Sequence, residues 1–112
     1  MRTIVITGPP PVQILDVTGP LEVFASAPDY QVVLGSADGG SLLHTSRGFA
    51  LTGARPLREI PGSIDTLLVA GGPGAESGAY DLDYLAWIGE AAARSRRVAS
   101  ICTGAFLLAA AG

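Results

Sequence analysis

Three stretches of this chain carry residue types that could do chemistry. The first holds the single cysteine, in Arg97-Val98-Ala99-Ser100-Ile101-Cys102-Thr103-Gly104-Ala105-Phe106. A short apolar run leads into the thiol, small residues follow, and then comes a helical run, Leu107-Leu108-Ala109-Ala110-Ala111. Strand, sharp turn and helix, with a nucleophile-type residue at the turn, is the layout of a nucleophile elbow. Gly104 gives the chain room to turn so closely. The elbow places Cys102 at the N-terminus of the following helix, whose dipole favours a thiolate. The competing reading is a small buried hydrophobe with no chemistry.

The second stretch supplies a carboxylate. Asp16 lies between Leu15 and Val17, close to the carboxyl end of the first predicted strand. Ligands of open α/β sheets bind at that edge. Asp16 is therefore the candidate acid or base for Cys102, and a plain helix-capping aspartate is the alternative. The third stretch is Gly71-Gly72-Pro73-Gly74, directly after a strongly apolar run. A glycine loop lets backbone N–H groups approach a ligand closely. No lysine follows, so it is not a P-loop, and it does not read G-x-G-x-x-G. Pro73 has no N–H, which makes Gly72 the better donor. The N–H groups of Gly72 and Thr103 are the candidates for stabilising developing negative charge. Gly71, Gly104 and Gly19 are the further candidates for the pocket wall. His44, the only histidine, falls in a β excursion and is expected to be structural, so no Cys–His pair is expected.

These residues need a scaffold, and the order of elements supplies one. Runs at 3–7, 30–36 and 64–70 are short and β-branched or apolar, and read as buried strands. Pro9, Pro10 and Pro11 enforce a loop. Between 12 and 25 two helices compete: one starts at Pro20, and the other starts near Gln13 and is kinked at Pro20. Residues 42–45 and 49–52 read as a small excursion, and 56–63 as a linker. Asp81 is expected to cap a helix over 81–95 that buries Leu82, Leu85, Ile88 and Ala92. Glu90 and Arg94 would pair on it. Arg94, Arg96 and Arg97 are expected at its end, where cations favour the dipole. Tyr84 and Trp87 are expected in the core or an interface. Strand, helix, strand, excursion, strand, helix, strand and helix imply a mostly parallel sheet with helices on both faces.

Composition sets the outer bounds. A chain of 112 residues is expected to form one domain, and 48% hydrophobic content is ample for a core. Only 15% of the residues are charged, so some surface is expected to be covered by another subunit or domain. Net charge is −3, which offers no basic footprint for nucleic acid. One cysteine excludes an internal disulfide and fits a reducing compartment. The N-terminus has no apolar leader and no run is long enough for a membrane helix, so a cytoplasmic location and no membrane contact are expected. One cysteine and one histidine are too few for a zinc site, and no cofactor is expected.

Taken together, Leu15-Asp16-Val17-Thr18-Gly19-Pro20-Leu21-Glu22-Val23-Phe24, Ile64-Asp65-Thr66-Leu67-Leu68-Val69-Ala70-Gly71-Gly72-Pro73-Gly74 and the stretch from Arg97 to Ala109 resemble the ThiJ/PfpI superfamily. That superfamily is related to the class I glutamine amidotransferase fold. The motifs occur in the right order and at the right separations, across essentially the whole chain. Two of its groups carry them: the amidase-like N-terminal domain of AraC-type transcriptional regulators, and the isocyanide hydratases. Cys-Thr-Gly-Ala-Phe-Leu-Leu and the Arg-Arg-Val-Ala-Ser before it are more similar to the regulators.

The resemblance implies a flavodoxin-like three-layer α/β sandwich with a mostly parallel sheet and Cys102 at the elbow. It also implies a homodimer and a pocket for an unidentified small molecule. DNA contact would come only through a C-terminal helix-turn-helix domain absent from these residues. From the hydratases it implies that Asp16 faces Cys102 and handles protons. Both groups continue with more of the α/β domain, including a Thr-Thr-His-Trp-like stretch. Residues 1–112 therefore read as the N-terminal portion of the domain, incomplete at the C-terminus. Prolines 9–11 depart from the usual Phe-Pro-Gly or Phe-Asp-Gly loop. An isocyanide hydratase-like or amidase-like cysteine enzyme is the second reading, and a redox-responsive or protein-stabilising member, or an inactive fragment, the third.

Overall fold

A computed structural model describes residues 1–112. In chain order the elements are β1 (Arg2–Thr7), α1 (Ile14–Ala25), β2 (Tyr30–Ser36), β3 (Leu43–His44), β4 (Ala50–Leu51), β5 (Arg55–Pro56), β6 (Ile64–Val69), α2 (Pro73–Ser77), α3 (Leu82–Ala93), β7 (Ser95–Ser100) and α4 (Gly104–Ala111). A 3-10 turn, Leu57–Glu59, follows β5. Five strands form one sheet in the order β5-β2-β1-β6-β7, and each neighbouring pair is parallel. The hairpin β3–β4 is antiparallel and separate from it.

Alternation along the central strands builds both faces of this sheet. Val5, Leu67 and Val69 join Leu57, Ile60, Tyr84, Ile88, Ala91 and Leu107 in one core, under α3 and α4. Ile4, Ile6, Leu68 and Ala70 join Val12, Val17 and Leu43 in the other, under α1 and the hairpin. A period of two on β1 and β6 is thus read out as two apolar layers, which is the three-layer α/β sandwich. Each fully buried Val, Leu or Ile contributes about 1.5–3 kcal/mol relative to exposure. Thr7 is the polar exception at the centre. Its hydroxyl donates to Gly35 O at 2.7 Å, and its oxygen lies 2.7 Å from the Tyr84 hydroxyl. Since the Thr7 proton is committed to Gly35, Tyr84 is the donor of the second bond. Burial pushes the Tyr84 hydroxyl well above the usual phenol range.

Several local expectations change. Helix α1 starts at Ile14 with Pro20 inside it, so the longer of the two competing helices is the one formed. Pro20 returns no N–H to the turn before it. Helix α3 is capped by Asp81, whose carboxylate accepts Asp83 N–H at 3.0 Å, but it ends at Ala93. Its buried face is Tyr84, Ile88 and Ala91, and Leu82 is 79% exposed in the first turn. Arg94 does cap this helix, while Arg96 and Arg97 lie on β7, because the strand begins at Ser95. Arg94 donates to Gly62 O rather than pairing with Glu90. The expected linker buries Leu57 and Ile60, and Arg55–Pro56 adds a short edge strand before it. Trp87 is partly buried, with the Arg58 guanidinium 5.1 Å from its ring centre. No helix is long and apolar enough to cross a membrane.

Candidate functional site

Cys102 lies two residues past the end of β7 and two before the start of α4. It is the only non-glycine residue with positive φ, at 53°. A side chain in that left-handed region is strained, and such strain concentrates where a turn is over-determined by its surroundings. The surroundings here are tight. A Cβ at Gly104 would fall onto Val69 O, so only glycine lets the elbow lie against β6. A Cβ at Gly71 would lie 2.6 Å from Thr103 Oγ1 and 2.7 Å from Thr103 N. The strand–turn–helix reading of the sequence is realised, and the thiol is exposed.

The glycine loop runs between the elbow and α1 and is tied to both. Gly71 N–H donates to Asp16 Oδ2 at 3.1 Å, across 55 residues of sequence. Gly72 N–H donates to Thr103 Oγ1 at 3.0 Å. The loop is also stitched to the start of α1 by Gln13 N–H, which donates to Gly71 O at 2.8 Å. Gly72, at φ 127°, packs so closely on the Val12–Gln13 peptide that a Cβ has no room. Asp16 and the elbow therefore engage one dipeptide, Gly71-Gly72, through its two adjacent amides.

The candidate residues do not all take the positions assigned to them from sequence. Gly72 N–H is engaged by the Thr103 side chain in this structure. Thr103 N–H has no acceptor in the protein, nor does Cys102 N–H, so the free amides lie at the turn itself. Gly19 sits one turn past Asp16 on the same helix face, where a Cβ would meet only Leu15, at 4.0 Å. His44 contributes through its carbonyl, which accepts Val12 N–H at 3.0 Å, and its side chain is exposed. The thiol faces open surface: neither Cys102 nor Asp16 lines any of the cavities of the fold. Sequence reasoning missed the two side-chain ties. The sequence points to Thr103 through its N–H and to Asp16 as an acid or base or a helix cap, and neither reading contains a side-chain bond to the glycine loop. No three His, Cys, Asp or Glu side chains converge as a metal site would need.

The chain that carries this geometry has sequence and structural likeness to known proteins. The chain is 40% identical over 103 residues to the isonitrile hydratase of Pseudomonas putida, covering 92% of this chain and 44% of that protein. It spans less than half of that relative. A 49-residue stretch is 38% identical to an HTH-type transcriptional regulator of Mycobacterium tuberculosis, covering 44% of this chain and 19% of the regulator. Among solved structures, a ThiJ/PfpI family protein from Pseudomonas syringae superposes with a TM-score of 0.86 at 23% identity, covering 98% of this chain and 46% of that one. The model of the DJ-1/PfpI family matches residues 1–112, from β1 to the end of the helix behind the cysteine elbow. That match takes in every strand of the parallel sheet, and the chain belongs to the DJ-1/PfpI family.

Proposed function

We propose that this chain is the ligand-sensing domain of an AraC-type transcriptional regulator, with a small molecule taken at Cys102. One observation carries the reading: both glycine-loop amides are already occupied, Gly71 by Asp16 and Gly72 by Thr103. An oxyanion donor must be free to meet the transition state, so Gly72 cannot serve while Thr103 holds it, and only the Cys102 and Thr103 amides at the turn are left for that task. The two glycine amides instead join α1, the loop and the elbow into one unit. A ligand that takes either amide must displace Asp16 or Thr103, and so transmits its arrival to α1. The stretch shared with an HTH-type regulator supports the same reading. On this proposal the protein is a cytoplasmic homodimer, and DNA is bound by a separate helix-turn-helix domain. Reading the gene past the Gly112 codon tests it directly: two helix-turn-helix units are expected, and a gene without them refutes it.

A second reading has its own support, the 40% identity to isonitrile hydratase over 92% of the chain. In that reading the Cys102 thiolate adds to the terminal carbon of an isonitrile, with Asp16 supplying and recovering the proton. Water then displaces sulfur, so that R–NC and H2O become R–NH–CHO. Incubation with an alkyl isonitrile separates the two. Formamide production that disappears in Cys102→Ala establishes the hydratase, and its absence supports the sensor.

A further inference from the structure

A second constellation occupies the opposite end of the sheet from Cys102. A depression of about 500 Å3 opens at the amino ends of β1, β6 and β7, and Arg2, Ser63, Asp65, Arg94, Ser95 and Arg96 line it. The chain contains no lysine, and three of its 7 arginines meet here although its net charge is −3. Asp65 is the single carboxylate in the lining, so the depression holds an excess of two positive charges, to which Met1 adds its amino group.

Asp65 fixes the arrangement. Its Oδ2 accepts Arg96 Nε–H at 2.9 Å and lies 3.9 Å from Arg2 Nε, while Oδ1 accepts the Thr66 hydroxyl at 2.7 Å. The Arg96 hydrogen bond, seconded by Thr66, holds the Asp65 carboxyl below its ordinary value. Arg94 is anchored separately, by one terminal nitrogen on Gly62 O. Both Arg2 and Arg96 meet Asp65 by the Nε edge. Their terminal N–H2 pairs, and the second one of Arg94, have no acceptor in the protein. Asp29 lines the neighbouring depression and touches Arg2 through its main-chain carbonyl. Two guanidiniums therefore gather at one carboxylate oxygen and a third, anchored on Gly62 O, lines the same depression, with their forked donors unspent. That fork matches two oxygens of a phosphoryl group, and a dianion would offset the excess charge.

We propose that this depression binds a small tetrahedral oxyanion of the phosphate-monoester class. The test uses the untagged chain, because Met1 lines the site. Arginine Nε–Hε and backbone amide signals are followed by NMR as inorganic phosphate replaces chloride at constant ionic strength. Saturable shifts confined to Arg2, Arg94, Arg96 and their neighbours are expected. Arg2→Gln and Arg94→Gln should each weaken the affinity by about tenfold, the scale of one charge-assisted contact. Arg47→Gln, on the hairpin, should leave it unchanged, and dispersed spectra of all three variants show that they fold. Shifts that do not saturate, that chloride reproduces, or that survive both substitutions would overturn the proposal.

Discussion

Substituting Gly104 by alanine sets two expectations against each other. Helix propensity alone favours the change by up to about 1 kcal/mol, because glycine is a poor helix residue. The packing opposes it. The added Cβ would fall onto Val69 O and lie 2.8 Å from Val69 C and 3.1 Å from Ala70 C. All three obstacles are main chain of β6 or of the glycine loop that continues it, and β6 pairs on both sides, with β1 and with β7. A flexible side chain could step aside, whereas a central strand cannot. Overpacking typically costs about 1–3 kcal/mol, and a backbone obstacle belongs at the upper end. Net of propensity, Gly104→Ala should lose roughly 2 kcal/mol or more, a fall of roughly 8 °C or more in Tm for a chain of this size. The same substitution at Gly89, in α3, meets nothing within 4 Å. It should instead gain about 0.5–1 kcal/mol. Thermal and urea unfolding of both variants, followed by circular dichroism, measures the pair. A Gly104→Ala variant as stable as the parent would refute the claim that the elbow lies hard against β6.

Other outcomes follow from the same geometry. Tyr84→Phe leaves the Thr7–Gly35 bond in place and should cost about 1 kcal/mol, whereas Thr7→Val strands the buried Tyr84 hydroxyl and should cost about 1–3 kcal/mol. Urea midpoints with unchanged slopes give the order, and the reverse order would contradict the assigned direction of the bond. Asp65 is held below its ordinary value of 3.8 in the fold, so its contribution is complete above that pH and is lost as pH falls through the lower folded value. The Tm gap between the parent and Asp65→Asn should therefore be widest near pH 7 and shrink as pH falls below 3.8, and a gap that does not change with pH would argue against the ion pair. The exposed Cys102 thiol should be alkylated completely by iodoacetamide without denaturant, as intact mass shows, and a thiol that reacts only in urea would place it inside the core.

The strands and the elbow were legible because their signals are local. A β-branched run bounded by glycine or proline, and a small-residue turn into a helix, need no distant partner to be read. The two-faced core was legible for the same reason, through the alternation Ile4, Val5, Ile6. What escaped depends on contacts that local sequence does not encode. Thr103 and Asp16 reach the glycine loop across 31 and 55 residues, and either hydrogen bond could equally have gone to water. Leu82 looked buried by helical spacing, but in the first turn of α3 it is exposed and Tyr84 takes the inward position. Arg96 and Arg97 looked like a helix end because cations suit one, yet Ser95 already pairs with Ile64. The short helix α2 was hidden behind Pro73-Gly74, which reads as loop until Pro73 is placed at its first position.

The account rests on Asp16 and Thr103 holding the two glycine amides beside Cys102. Amide hydrogen exchange of Gly71 and Gly72, resolved by NMR, measures this most directly. Both amides should be protected in the parent. Asp16→Ala should release Gly71 alone and Thr103→Val should release Gly72 alone, each by about tenfold or more in rate, the scale of one hydrogen bond. Rapid exchange of both amides in the parent, or protection that persists in both variants, would contradict it.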